Sequence, residues 1–277
     1  MSVYEDYDTR SGSYDTTRRP VGSAIILGCS TRTGRALREL TVLDAGCGTG
    51  NYTAAILPHV GRVEAVDLNP GMLAVAERKL ASAIDAGRAT VAQAGIDALP
   101  LDDASVDVVM VNQVLHHLPL KPEAGWPVLQ RVFAEFARVL RADGVCVLNV
   151  CSQAQLHDGF WYYALIPAAA ETLRRRYPSL DTLSRLLAGA GLAETGRFVP
   201  VDAVLQGDAY FDPSGPLEPS WRAGDSTWSL ADDDELAAAL ARVEELETAG
   251  ALAGFFAEHD ARRPQVGQTT FLAAQRR

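Results

Sequence analysis

From residue 41 to residue 150, short apolar runs alternate with longer stretches whose apolar residues recur every three or four positions. The short runs are 41–44, 63–67 and a weaker one at 90–93. Residues 106–111 and 145–150 are apolar almost without interruption, the pattern of strands covered on both faces. Residues 71–85 and 128–141 carry helical spacing. Asn69 and Pro70 suit the start of the first helix, because Asn caps and Pro is tolerated in the first turn. Such alternation predicts βαβ units, hence an α/β chain with a doubly wound, mostly parallel sheet.

The ends depart from this rhythm. Residues 1–40 hold no strong strand and read as a helical or irregular cap or lid. Beyond the fifth run, 180–191 reads as a helix closed by glycine and 197–204 as a strand. Residues 207–224, rich in Gly, Pro, Asp and aromatics, read as a loop. An acidic helix at 231–246, a shorter one at 252–259 and a strand at 267–274 complete the chain. The expected division is a cap over 1–40, a core over 41–206, a substrate-facing insert over 207–266 and a final core strand over 267–277.

Composition narrows the function classes. The chain has 277 residues, 48% hydrophobic and 22% charged, which is too apolar for disorder. Lys and Arg number 25 against 35 Asp and Glu, a formal net charge of −10. A protein that grips a phosphate backbone presents a basic surface, so no nucleic-acid partner is expected. Cys29, Cys47, Cys146 and Cys151 form no Cys-x-x-Cys pair and read as free thiols of a reducing compartment. The N-terminus lacks the apolar core of a signal peptide, and every apolar stretch falls short of the ~20 residues that cross a bilayer. The expectation is a cytoplasmic protein, monomeric or homodimeric, with no membrane partner. Heavy use of Ala, Arg, Gly and Asp matches a GC-rich bacterial genome.

The strongest chemical signal is Val42-Leu43-Asp44-Ala45-Gly46-Cys47-Gly48-Thr49-Gly50. A strand runs into glycines at alternate positions, and a helix follows. Glycine lets the backbone turn tightly and approach a ligand where a Cβ would collide. Asp67 ends the next strand, ~20 residues on, where a carboxylate can accept both hydroxyls of a ribose. A nucleoside is therefore expected across the carboxyl ends of the strands. Asp44 would repel a pyrophosphate but suits an amino group or a sulfonium. That favours S-adenosylmethionine over a nicotinamide dinucleotide.

VLDAGCGTGNYT resembles the first motif of class I S-adenosylmethionine-dependent methyltransferases, and VEAVDLNPGMLAVAERK resembles their second. IDALPLDDASVDVVMVNQVLHHL is similar to the third and fourth, and FAEFARVLRADGVCVLNV to the fifth. The likeness runs in order over residues 42–150. It points to the small-molecule group that includes the ubiquinone-biosynthesis C-methyltransferases and many natural-product enzymes. The resemblance implies a Rossmann-like, seven-stranded sheet whose last strand, 269–274, is antiparallel. It also implies S-adenosylmethionine as cofactor, S-adenosylhomocysteine as product and a small-molecule methyl acceptor in bacterial secondary metabolism.

Carried over by position, Gly46, Cys47, Gly48 and Gly50 would line the cofactor, with Asp44 near its amino-acid end. Asp67 would take the ribose, Leu68 and Met72 the adenine faces, and Asn112 and Gln113 the methionine part. One position departs. The family commonly has an acidic residue where Gly95 stands, leaving Ile96 with backbone contacts only. Adenine recognition is then either looser or supplied by Asp97. In related enzymes a Tyr-Asp pair and a nearby Arg form an N-terminal lid, which makes Tyr14 and Arg18 candidates for the cofactor carboxylate; Tyr14 would alternatively polarise the substrate. A solvated tail is the competing reading of that segment.

His116 and His117 follow the fourth strand, and either suits a general base because its pKa lies near working pH. Equally, both can open a helix and bond only to backbone. No metal is expected, since adjacent histidines on a helix diverge and a third ligand is missing. His157, Phe160, Trp161, Tyr163, Tyr210 and Trp228 are candidates for an acceptor pocket, against the plainer reading of an aromatic seam. Arg174, Arg175 and Arg176 read as a solvated helix face. Nucleic-acid amino-methylating enzymes of this fold carry Asn/Asp-Pro-Pro-aromatic after the fourth strand, where Asn112-Gln113-Val114-Leu115 stands here. The rival classes are a nicotinamide oxidoreductase and a cofactor-binding protein that cyclises or does not methylate. NADH titration separates the first from the methyltransferase expectation.

Overall fold

A computed structural model describes residues 19–276, so Tyr14 and Arg18 lie outside the described residues. The two almost unbroken apolar runs become adjacent central strands. Successive side chains of a strand point to opposite faces. Val108 and Met110 of β4 (Val106–Asn112) accordingly pack into one layer of core, and Val109 and Val111 into the other. β5 (Leu140–Val150) does the same, with Val145 and Val147 on one side and Cys146 and Leu148 on the other. Both faces must therefore be covered, which is why these strands carry no polar alternation.

The remaining strands are β1 (Thr41–Ala45), β2 (Arg62–Asp67), β3 (Ala89–Gln93), β6 (Leu192–Phe198) and β7 (Thr270–Arg276). They form one seven-stranded sheet in the order β3-β2-β1-β4-β5-β7-β6. The first five strands run parallel, with Val42 of β1 opposite both Val63 and Val108. β7 is antiparallel to β5 and to β6, as the family resemblance implies. The order reverses between β1 and β4, and the carboxyl ends of these two strands open the crevice where ligands of such sheets bind.

Helices cover the two faces. Ile26 and Cys29 of α1 (Ser23–Ser30), Ile56 of α2 (Asn51–Ile56) and Leu80 of α3 (Pro70–Asp85) join one layer. α4 (Pro127–Val139) and α7 (Leu180–Gly189) cover the other through Phe133, Phe136, Leu183 and Leu187. The expected strand at 197–204 instead lies at Leu192–Phe198. Gly191 turns the chain at φ +83° directly after α7, and Pro200 stops further pairing. The final strand, Thr270–Arg276, lies within the expected 267–277 and is paired by β5 and β6 on both sides. No described helix is long and apolar enough to cross a membrane.

The chain after β5 builds a separate aromatic core. α5 (Gln153–Asp158) and α6 (Pro167–Arg174) meet α9 (Asp233–Thr248) and α10 (Leu252–Asp260) there. Residues 207–224 are not an open loop but tight 3₁₀ turns and the short helix α8 (Pro219–Arg222). Ser152 starts α5 with a reciprocal cap: its hydroxyl accepts the Gln155 amide at 3.2 Å, and Gln155 Oε1 accepts the Ser152 amide at 2.8 Å. Gln155 Nε2 also donates to the carbonyls of Val266 and Thr269, joining α5 to the approach of β7. Ser152→Ala is expected to cost about 1 kcal/mol in a urea titration with an unchanged slope.

Candidate active site

The turn after β1 is built for close approach. Gly46 sits at φ +81°, and a Cβ there would stand 2.5 Å from a Val114 methyl carbon. The amides of Gly46 and Cys47 both donate to the Val66 carbonyl, at 2.8 and 2.9 Å, which pins the loop to β2. That register brings Asp67 beside the loop. Its Oδ2 accepts the Gly48 amide at 2.8 Å and its Oδ1 the Asn69 amide at 2.9 Å. Asn69 in turn caps α3 by accepting the Met72 amide. Each Asp67 oxygen keeps a lone pair for a further donor.

A cavity of about 400 Å³ lies over the carboxyl ends of the parallel strands. Asp44, Gly46, Cys47, Gly48, Asp67, Leu68, Met72, Gly95, Ile96, Asp97, Asn112 and Gln113 all line it. Gly50 does not: it precedes α2, and a Cβ on it would press on Ala76 and Leu80, so its smallness serves helix packing. Arg19, Arg131 and Leu205 also line this cavity, and none of the three carries a motif that predicts it.

Asp44 is 1% exposed, and its Oδ2 accepts the Thr53 hydroxyl at 2.6 Å. Its Oδ1 and the Asn112 Nδ2 are fully buried with no partner at hydrogen-bond distance, although the Asn112 side chain lies close enough to oppose the rise of the carboxyl. Burial, with the negative charge of Asp67 adding to it and the Thr53 hydroxyl opposing it, pushes the Asp44 carboxyl up to about 7. A buried carboxyl of this kind ionises more readily once a cationic group lies beside it. Burial and the same two carboxylates push the Cys47 thiol up as well, so it is no nucleophile at neutral pH.

Gln113 is the junction of the site. It adopts φ +56°, rare for a residue with a side chain, and its amide donates to the Asn149 carbonyl at 2.9 Å. Its Nε2 donates to Asn149 Oδ1 and Thr269 Oγ1, and its Oε1 accepts from the Tyr177 hydroxyl at 3.2 Å. Leu115–His117 is a single 3₁₀ turn. It buries His116 in a stack on Tyr177, with ring centroids 4.5 Å apart. His117 lines the large cavity.

A second, smaller cavity of about 30 Å³ adjoins the first, with Gln113, His117 and Leu205 in the walls of both. Among the acceptor-pocket candidates, Phe160 and Tyr163 line it, stacked at 4.7 Å. Trp161, Tyr210 and Trp228 line neither cavity. They are packed in the aromatic core, where Trp161 Nε1 donates to the Tyr210 carbonyl and the Tyr210 hydroxyl to Asp260. His157 is exposed at the end of α5 and bonds to Asp158. Tyr177, Cys151, Asp225 and Ser226 enter this wall without any forewarning from their sequence neighbours.

The geometry so far is a glycine turn, a carboxylate on the next strand and a buried acid facing one cavity. Residues 43–148 match the model of a methyltransferase domain. This segment belongs to the methyltransferase domain family. A Serratia marcescens malonyl-[acyl-carrier protein] O-methyltransferase is 30% identical over 161 residues, covering 57% of this chain and 56% of its own. The ubiquinone/menaquinone biosynthesis C-methyltransferase UbiE of Enterobacter sp. (strain 638) is 28% identical, covering 58% of this chain and 69% of its own. The chain spans about half the length of the Serratia protein and of the mycobacterial relatives that match beside it. Among solved structures, a methyltransferase from an antibiotic biosynthesis pathway of Anabaena variabilis ATCC 29413 superimposes with a TM-score of 0.71. It is 22% identical and covers 91% of this chain and 96% of its own, a likeness of fold.

Proposed function

We propose that this chain transfers a methyl group from S-adenosylmethionine to a small molecule and releases S-adenosylhomocysteine. The observation that carries the reading is the pair of carboxylates in one cavity wall. Asp67 is positioned for a diol, and Asp44 is buried in the same wall, where its negative charge suits a cationic ligand end. The residues fit the ligand. Asp67 takes the ribose hydroxyls, Asp44 and Asn112 the amino-acid end, and Leu68 and Met72 the base. The sulfonium supplies an activated methyl group. The chain's part is to hold the acceptor in line with it, to exclude water and to take up a proton where the acceptor is a hydroxyl or an ammonium. His117, lining both cavities, is the side chain we assign to that proton. Residues 207–266 are the acceptor-side insert of this reading, cytoplasmic bacterial secondary metabolism its setting.

The test is calorimetric titration with S-adenosylmethionine and with S-adenosylhomocysteine, then an acceptor screen read by S-adenosylhomocysteine release. Micromolar binding of both and release dependent on an acceptor are expected. Binding followed by conversion of a substrate without S-adenosylhomocysteine release selects the cyclising alternative, and absence of binding ends the reading.

Asp97 supplies the adenine contact that Gly95 lacks. A Cβ on Gly95 would stand 3.0 Å from Asp97 Oδ1, so the Asp97 carboxylate occupies the space that a side chain at 95 would need. Arg131, 3.5 Å away, holds it from the other side. Asp97→Ala is expected to lower S-adenosylhomocysteine affinity about ten- to a hundredfold, the worth of one hydrogen bond to a charged group. It should also erase the preference over the inosine analogue, in which the adenine amino group is an oxygen. Retained preference in the variant removes the role.

A further inference from the structure

The far wall of the small cavity holds a buried carboxylate that no step above employs. Asp225 is 5% exposed. Its Oδ1 accepts the Thr227 amide at 2.8 Å and the Thr227 hydroxyl at 2.5 Å, while its Oδ2 accepts the Tyr162 hydroxyl at 2.6 Å. All three donors are neutral. Among the described residues no cationic side chain pairs with it. The neighbouring Arg222 directs its guanidinium to the carbonyls of Pro216 and Leu217 instead. A carboxylate removed from water is ordinarily paired with a cation, whereas Asp225 has only the amide it caps at Ser226–Leu230 and two hydroxyls.

The other walls suit the missing partner. Phe160, Tyr163 and Tyr177 line the cavity with aromatic side chains, the first two stacked on each other and the third on His116. Aromatic faces attract cations, more strongly where water is excluded. A volume of about 30 Å³ admits a head group of one or two heavy atoms but no ring. The cavity adjoins the larger one at Gln113, His117 and Leu205, so a head group seated here lies next to the cofactor site.

We infer that the methyl acceptor carries a cationic amine, and that Asp225 with the surrounding rings is its head-group site. The inference rests on the methyltransferase reading and narrows it from any small molecule to amines. A hydroxyl would satisfy Asp225 as a donor but would leave its charge unpaired, so alcohols and phenols are poor occupants.

The experiment uses the full chain saturated with S-adenosylhomocysteine, titrated calorimetrically with matched pairs that differ only in the head group. The pairs are 2-phenylethylamine with 2-phenylethanol, and propylamine with propanol. Each amine is expected to bind at least about tenfold more tightly than its alcohol, the worth of one charge-assisted hydrogen bond. Asp225→Asn, which keeps an oxygen for the Thr227 amide, should abolish that difference while S-adenosylhomocysteine affinity stays the same. Equal binding of amine and alcohol, or binding of neither, overturns the inference. The wild-type comparison decides even if the variant does not fold. Lack of S-adenosylhomocysteine binding overturns the cofactor reading instead, and the pairs are then titrated against the free protein with the same two outcomes.

Discussion

Asp67→Ala is expected to weaken S-adenosylhomocysteine binding by about a hundredfold or more, measured by calorimetry at pH 7.5. Two losses combine. Each carboxylate oxygen has one lone pair on a backbone amide, Gly48 or Asn69, and one left for a ligand hydroxyl. Truncation removes both ligand bonds, each charge-assisted and worth about 1.5–3 kcal/mol. It also frees the two amides, one in the glycine turn and one at the cap of α3, so the turn is less well ordered before the ligand arrives. Asp67→Asn separates the two losses. An amide there keeps one acceptor for the backbone and loses the charge, so its loss should be intermediate. Affinity within about threefold of wild type in the alanine variant would remove Asp67 from the ribose.

The parts of the site that the sequence announces are those whose geometry is local or one strand away. The glycine turn is contiguous with β1 and α2, and the Ala45–Val66 pairing carries Asp67 next to it without help from distant chain. Gly50 carries the same motif but faces Ala76 and Leu80, because alternation along a turn does not tell which glycine meets the ligand. The aromatic candidates divide for a similar reason. Phe160, Trp161 and Tyr163 are near neighbours in the chain, yet the 3₁₀ turn over Trp161–Ala164 sends Trp161 into the packed core and leaves Phe160 and Tyr163 on the cavity. Residue type predicts that such rings are buried, but not against what. Asp225 and Tyr177 are invisible for a stronger reason, since only the packing of distant stretches of chain beside Gln113 and Cys151 brings them together. β6 was misplaced because it is an edge strand with only Leu192 buried, and so has no apolar pattern to read.

Asp44 makes both the stability of the unliganded protein and its ligand affinity depend on pH, in opposite directions. Its carboxyl titrates near 7 in the folded protein, against 3.8 for an ordinary Asp. Because the folded-state value is the higher one, folding favours the protonated form. The contribution is full below pH ~4, declines as pH rises from there through 7, and is absent above. The shift corresponds to about 4 kcal/mol across that range. Urea titrations of the unliganded chain should therefore show stability falling between pH 5 and 8, and Asp44→Asn should flatten the curve. A cationic ligand end selects the ionised carboxylate. At pH 6 only about a tenth of the free protein carries it, so the Asp44 contribution makes binding about tenfold weaker than at pH 8. The ligand amino group titrates too, and the comparison with Asp44→Asn subtracts it, because that group is common to both proteins. Asp44→Asn should bind more weakly at pH 8 and lose the Asp44 part of the pH dependence. A wild-type affinity profile that superimposes on that of Asp44→Asn would show that no cation lies beside the Asp44 carboxyl, and the amino-acid end of the ligand would have to lie elsewhere in the cavity.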